Sequence, residues 1–248
     1  MTKDIRRGYA LNDEKEFSDE SINKLIIAGE DLLYLLNRDY KIKGASTFVG
    51  NHYLLSERQR LALVRGISKE ENITLRKSKE IKCDLLGEIV HIDGFNTIIT
   101  LEVALSKSIV IKSMDGTIRD LAGLRGTYSV IDKTYVAIKL IKNMLEKYKI
   151  SKAIFYLDAP VSNSGRLKMK ILEELSFANF EVEVENINGV DKVLETKENV
   201  ISSDAIILDK CKSFYNLNDK ILKELNIELN VIDFSKLYIY RVPSSNLK

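Results

Sequence analysis

The sequence has no tryptophan, and in 248 residues it holds only two prolines, Pro160 and Pro243, and two cysteines, Cys83 and Cys211. Two cysteines cannot staple a small disulfide scaffold, and without a Cys-x-x-Cys pair they make no zinc half-site. They read as reduced, partly buried thiols of a reducing compartment. With so little proline and only 12 glycines, collagen-like repeats and long proline-rich linkers are excluded. An excess of charge is lacking too. Lys+Arg at 38 against Asp+Glu at 36 leaves +2, which excludes a histone-like polycation and an acidic disordered chain. No run approaches 18 apolar residues, since even residues 25–36 carry Glu30 and Asp31. Residues 1–17 are charged and lack the apolar stretch of a secretory signal. A cytoplasmic protein with no membrane partner is expected.

What is present suits a globular fold. Hydrophobic residues make up 45% and charged residues 30%, enough to bury a core in one large domain or two small ones. No internal repeat appears. Ser18, Asp19 and Glu20 suit a helix start. Ile22, Leu25, Ile26, Gly29, Leu32, Leu33 and Leu36 then recur at helical spacing, with Gly44 able to end the element. A second helix is expected after Ser56, carrying Leu61, Leu63 and Val64 before Gly66. The polar stretch 68–82 has few core-forming residues, so a helical N-terminal domain is assigned to residues 1–85 and an α/β domain to 86–248.

The second part alternates strand and helix. Strands are expected over residues 88–92, 153–157, 180–184, 199–202 and 229–234, with residues 108–113 as an edge strand or hairpin arm. Helices are expected over 132–148, 166–177 and 219–225, and a short one at Asp191. Strands separated by helices imply a mostly parallel sheet, and ligands bind outside the carboxyl ends of such strands. Three strand ends carry an aspartate: Asp93, Asp158 and Asp204.

The residues at those ends are the candidate site. In Ile89-Val90-His91-Ile92-Asp93-Gly94-Phe95-Asn96 an apolar strand delivers a carboxylate, a glycine follows, and Asn96 can cap the next element or support the carboxylate. Asp158 ends Ile154-Phe155-Tyr156-Leu157 in the same way. Asp191 follows Asn188-Gly189-Val190, and Asp204 follows Val200-Ile201-Ser202-Ser203. Singly, each has an ordinary reading as a turn residue or helix cap. Together, carboxylates on one sheet edge repel one another and raise each other's pKa, which a hard divalent ion, Mg²⁺ or Mn²⁺, relieves.

The order Asp-Gly-Phe-Asn, Leu-Asp-Ala, Gly-Val-Asp and Ser-Ser-Asp resembles the NYN branch of the PIN-like nuclease superfamily over residues 86–234. The resemblance implies an α/β, Rossmann-like (PIN-like) mostly parallel sheet flanked by helices, with the small helical N-terminal domain appended. It implies a metal-dependent ribonuclease site in which Asp93, Asp191 and Asp204 hold Mg²⁺ or Mn²⁺, with Asp158 nearby and Asn96 and Ser203 in support. Only residues 192–203 separate Asp191 from Asp204, a shorter gap than that branch usually has. The whole chain also resembles a family of uncharacterised archaeal proteins that pair a helical N-terminal domain with a PIN-like one. Ala28-Gly29-Glu30-Asp31, Val49-Gly50-Asn51-His52-Tyr53 and Asp158-Ala159-Pro160-Val161-Ser162-Asn163-Ser164-Gly165-Arg166 carry that likeness.

Phosphate-binding candidates lie nearby. Ser162, Ser164 and Arg166 sit between a strand and a helix and make a plausible anion cradle, though they lack the spacing of a nucleotide P-loop. Arg119 and Arg125 lie in a glycine-rich segment, residues 115–126. That segment reads either as a loop closing over substrate phosphate or as a set of structural salt links to Asp115, Asp120 or Asp132. Arg58, Arg60 and Arg65 on one helix, after His52 and Tyr53, suit RNA contact or a solvated charged face. RNA is the expected partner, and a homodimer is left open. The alternative to catalysis is a PIN-like module that binds RNA or protein. Haloacid-dehalogenase and Toprim arrangements fit worse, because Phe95 and Pro160 stand where each needs a second aspartate.

Overall fold

The computed structural model describes residues 5–123, 126–225 and 227–239. Its N-terminal part consists of helices α1 (Asp13–Glu16), α2 (Asp19–Leu36), α3 (Ile42–His52), α4 (Glu57–Gly66) and α5 (Glu70–Lys79). Ser18 accepts the Ser21 amide at the start of α2, and Ser56 with Gln59 forms a reciprocal capping box on α4. Each satisfies N–H groups that a helix start leaves without partners. Two expectations are corrected here. The α2 stripe stops at Leu36, and Gly44 lies inside α3 rather than ending α2. The polar stretch 68–82 holds α5, whose inward face is Ile73 and Arg76. A buried arginine takes a place where an apolar residue would have marked the helix.

The remainder runs β1 (Ile89–Asp93), α6 (Gly94–Leu105), β2 (Val110–Lys112), β3 (Ile118–Asp120), α7 (Asp132–Lys147), β4 (Lys152–Asp158), α8 (Ser164–Glu174), β5 (Glu181–Ile187), α9 (Val190–Leu194), β6 (Val200–Ile201), α10 (Ala205–Lys210), α11 (Leu217–Leu225), β7 (Val231–Asp233) and α12 (Ser235–Ile239). β1, β4, β5 and β6 form a parallel sheet in the order β5-β4-β1-β6. Strand alternation divides β4 between two layers. Ala153, Phe155 and Leu157 pack in a core with α6, α7, α8 and α11, whereas Tyr156 packs with Val190, Ile207 and Leu208 of α9 and α10. Burial on both faces explains why β4 reads as an apolar run, whereas the edge strand β5 alternates valine with exposed or half-buried glutamate. The architecture is mixed α/β, with a mostly parallel sheet flanked by helices. No helix among the described residues is long and apolar enough to cross a membrane.

A second sheet, β3-β2-β7, pairs β2 antiparallel with β3 and parallel with β7. Residues 108–113 thus supply a hairpin arm at the sheet's centre, not its edge. The fifth expected strand exists but joins this second sheet. Ile111, Met114, Leu121, Ile232 and Phe234 share one core with Leu25, Leu32, Leu33 and Leu63, so the N-terminal helices are seated on the second sheet. Gly94, which follows the β1 carboxylate, is the first residue of α6, a helix buried over most of its length. Thr97, Thr100 and Glu102 are buried along with its apolar residues, which hides the helical period.

A buried ion cluster ties the parts together. Asp115 Oδ2 accepts from Arg76 Nη1 of α5 at 2.8 Å and from Arg119 Nη2 of β3 at 2.6 Å. Arg76 Nε also reaches Asp209 of α10 at 2.6 Å. Ser113 and Thr117 donate to the other Asp115 oxygen. Burial alone would raise the Asp115 pKa, but the Arg119 and Arg76 guanidiniums outweigh it and hold this carboxylate well below the usual range.

Two stability measurements test this packing. A Cβ on Gly66 would fall 2.2 Å from Cδ2 of Phe234, so Gly66→Ala should destabilise by about 1–3 kcal/mol despite the better helix propensity of alanine. A thermal melt should lose about 2–4 °C per kcal/mol; an unchanged or higher Tm would mean that α4 does not press on β7. Asp115→Asn leaves two buried guanidiniums on a neutral amide, and should cost ~3–5 kcal/mol in urea unfolding. A loss below about 1 kcal/mol would mean that solvent reaches the cluster.

Candidate functional site

The chain passes from β1 to β4 and β5 on one side, then returns to β6 on the other. A reversal of this kind opens a crevice beyond the carboxyl ends of the strands. Asp93 ends β1, Asp158 ends β4, Asp191 opens α9 after β5, and Asp204 follows β6 as the cap of α10. The four aspartates therefore gather at one edge of the sheet, as their strand-end positions suggested.

Asp93 is buried and fully engaged by neutral donors. Its Oδ1 accepts the Asn96 amide at 3.3 Å, and its Oδ2 accepts the Ser202 hydroxyl at 2.8 Å. Burial raises its pKa to about 7; the Ser202 and Asn96 hydrogen bonds pull it down, and Asp204 and Asp191 push it up. Asp191 is open to solvent and, among the described residues, makes no hydrogen bond or ion pair. Partial desolvation, then Asp204 and Asp158, raise its pKa. Asp204 Oδ1 accepts the Ile206 and Ile207 amides at 2.8 and 3.3 Å. Asp158 Oδ1 accepts the Val190 amide at 3.4 Å.

Supporting residues lock this edge. Asn96 Oδ1 accepts both the amide and the hydroxyl of Ser203, at 2.8 and 2.9 Å. Ser202 was not singled out in the sequence, yet its hydroxyl bridges two carboxylate segments: it donates to Asp93 and accepts the Asp204 amide at 3.1 Å. Its signal was present as the first serine of Ser-Ser-Asp. Both serines, just past β6, bond to the β1–α6 corner, Ser202 to Asp93 and Ser203 to Asn96.

The donor chemistry suits a hard cation: oxygen ligands, mutual repulsion, and an Asp191 carboxylate that forms no hydrogen bond or ion pair among the described residues. The side chains as placed do not form a closed cage, since among the described residues no three His, Cys, Asp or Glu stand close enough to hold a metal ion. A small divalent ion does not require one, because Mg²⁺ is commonly held by one or two carboxylates with waters and substrate oxygens.

The phosphate candidates divide. Arg166 is exposed in the first turn of α8, the helix that follows β4, and is unpaired among the described residues. The Ser164 hydroxyl points inward, donating to the Ala159 carbonyl and accepting from Asn186. Ser162 is exposed, its backbone bridging to Gly126 and Tyr128. Arg119 takes the structural alternative: besides Asp115 it holds the carbonyls of Ser203 and Arg65, so it is a brace and not part of a closing loop. Arg125 lies outside the described residues. Arg58, Arg60 and Arg65 are likewise committed, to Asp13, Asn51 and Asp120, which removes the free basic face. His91 Nδ1 lies 3.0 Å from the Tyr156 hydroxyl, and burial lowers its pKa.

Beside the carboxylate edge runs a groove of about 450 Å³. Val64, Ile42 and Lys69 from the N-terminal helices face Ile206, Asp204 and Asn96. No local pattern announces it, because one wall comes from residues of the N-terminal helices and the other joins Asn96 to the distant residues Asp204 and Ile206.

Two family profiles match the chain: Protein of unknown function (DUF434) over residues 24–79, and Domain of unknown function (DUF5616) over residues 82–220. The chain is 40% identical over 183 residues to the uncharacterized protein MJ0935 of Methanocaldococcus jannaschii, a match that covers 73% of this chain and 87% of that one. No solved structure matches it.

The Asp93 carboxyl predicts a pH dependence of stability. Its pKa rises from 3.8 to about 7 on folding, so its contribution is fully present below about pH 4 and is lost as pH climbs through 7. Without added metal, wild type should lose ~1–3 kcal/mol between pH 5 and pH 8 that Asp93→Asn does not lose. Parallel pH profiles for the two proteins would mean that Asp93 is charged in the fold throughout.

Proposed function

The chain belongs to the DUF5616 family, and we propose that it is a divalent-cation-dependent ribonuclease whose PIN-like, Rossmann-like sheet carries its site beyond β1 and β6. The observation behind this reading is the state of Asp93: a buried carboxyl pushed to about 7 beside Asp204 and Asp191. None of the three is ion-paired among the described residues. Buried Asp13, Asp115 and Asp120 each hold an arginine and buried Asp219 a lysine, whereas among the described residues buried Asp93 has no ion-pair partner. Perturbed groups clustered in a crevice mark functional sites more often than structural ones.

Asp93, Asp191 and Asp204 would hold Mg²⁺ or Mn²⁺ by their oxygens, with Asp158 as the outer member of the edge. Such an ion supplies an acidified water and offsets charge that develops on a phosphate under displacement. The chain's own groups prepare that ground. Ser202 fixes the Asp93 carboxyl, and the Asn96–Ser203 pair fixes the backbone that carries Asp204. Arg166 is free to pair with a phosphate oxygen, and the exposed Ser162 stands in the same loop. RNA is the proposed substrate. The overall charge of +2 suits a limited set of RNAs rather than broad attraction to phosphate.

A second reading, a PIN-like module that binds RNA or protein without cleaving it, has an observation of its own. Asp93 and Asp204 already cap α6 and α10, and no three ligating side chains converge.

Incubation of mixed RNA with the protein and Mn²⁺ separates the two. Wild type should cleave and Asp191→Asn should fall by roughly 10²-fold or more, as loss of a cation ligand implies. Because Asp191 is exposed and unbonded, its variant should melt with wild type. Equal cleavage by both proteins removes the enzyme reading. RNA retention without cleavage, at any Mn²⁺ level, favours the module.

A further inference from the structure

We infer that the groove between the N-terminal helices and the carboxylate edge binds a nucleobase, the one borne by the nucleotide that adjoins the phosphate at Asp204. The position of the phosphate rests on the ribonuclease reading; the character of the groove stands apart from it. At about 450 Å³ the groove falls within the range of small-ligand pockets. Three large aliphatic side chains line it and remain in water: Ile42 at 37%, Val64 at 39% and Ile206 at 56% exposure. Single exposed apolar residues are ordinary. Three around one slot, contributed by α3, α4 and α10, make apolar walls for a flat ring.

Hydrogen-bonding groups at the slot suit the ring's edge. Asn96 spends its Oδ1 on Ser203, which leaves both Nδ2 donors without a partner among the described residues. Asn72 spends its Nδ2 on Asp209 at 3.0 Å, which leaves its Oδ1 as a free acceptor. Base carbonyl and amino groups pair with such amides, and single-stranded RNA is read through splayed bases. An aliphatic peptide side chain would use the walls and leave both amides idle. A bare phosphate would gain nothing from the walls and would find each cation of the groove already paired, Arg65, Lys69, Arg76 and Arg119 alike. Asn96, Ser203 and Asp204 line the groove and also belong to the carboxylate edge. A strand with its phosphate at Asp204 therefore meets the groove's mouth with its next base.

The test titrates the full chain with each of the four ribonucleoside 5′-monophosphates, then with a short mixed-sequence RNA, while the methyl resonances of Ile42, Val64 and Ile206 are followed. At least one monophosphate should move them. Val64→Glu puts a carboxylate on an exposed position of α4, in the groove wall that faces Asp204. It should weaken that binding roughly tenfold and raise KM for RNA. Methyl groups that stay still with every monophosphate and with RNA overturn the inference, whatever becomes of the variant. Normal cleavage by Val64→Glu with an unaltered KM also overturns it and leaves the ribonuclease reading intact. Monophosphate binding that depends on Val64, in a protein that cleaves nothing, keeps the groove as a nucleobase site and removes the ribonuclease reading.

Discussion

One carboxylate, Asp115, holds the molecule's parts in register. Its Oδ2 accepts two guanidiniums from different elements, Arg76 of α5 and Arg119 of β3. Arg76 continues to Asp209 of α10, and Arg119 continues to the carbonyls of Ser203 and Arg65. A buried charge is tolerable only when its partners are complete, so the cluster fixes three segments or none. The corner between β6 and α10, which carries Asp204, is thereby set by contacts that begin in the N-terminal helices. Asp115 and Arg119, read in the sequence as parts of a loop that could close over phosphate, instead brace the carboxylate edge from behind.

The contrast between Asp115 and Asp93 gives the site its meaning. Both carboxyls are buried, and in both burial is the largest influence on the pKa. Two arginines reverse that influence at Asp115. At Asp93 only a serine hydroxyl and one amide oppose it, while two further carboxylates add to it. The chain plainly has the means to neutralise a buried acid, and spends arginines on Asp115, Asp209, Asp120 and Asp13. Among the described residues Asp93, Asp191 and Asp204 form no ion pair, and with 38 lysines and arginines in the sequence this is not for want of cations.

The sequence disclosed what repeats locally and concealed what depends on distant partners. The amphipathic stripes of α2, α7 and α8, and the Ser56 start of α4, were legible because period and cap lie within a few residues of each other. Strands β1, β4 and β6 were legible as apolar runs that lead to an aspartate or serine, and β5 by its alternation of valine with glutamate, and so the aspartates that follow them could be placed on one edge. α6 was missed because it is buried on nearly every side, so that Thr97, Thr100 and Glu102 lie inward among its apolar residues, and α5 because its inward residue is an arginine whose value depends on Asp115 and Asp209, 39 and 133 residues away. β7 was legible as a strand but not as a member of a second sheet, since nothing local distinguishes one parallel partner from another. The same limit hid Ser202, whose bond to Asp93 spans 109 residues, and the commitment of Arg58, Arg60 and Arg65 to acids elsewhere.

The relation between the two matched segments follows from where the groove lies. Neither the stretch over residues 24–79 nor that over 82–220 forms it alone: Ile42, Val64 and Lys69 come from the first, and Asn96, Asp204 and Ile206 from the second. The N-terminal helices are held there by a core that draws Ile111 from β2, Ile232 from β7 and Phe234 from the residue after it. Phe234 presses on Gly66, the last residue of α4, closely enough that even a methyl group is excluded. The helix that carries Val64 is thus pinned by Phe234 at its end and by the Arg65–Asp120 pair at its side. A helical domain that served only as a tether would need no such fixity. One that forms half of a recognition surface needs its wall held to within the width of a base.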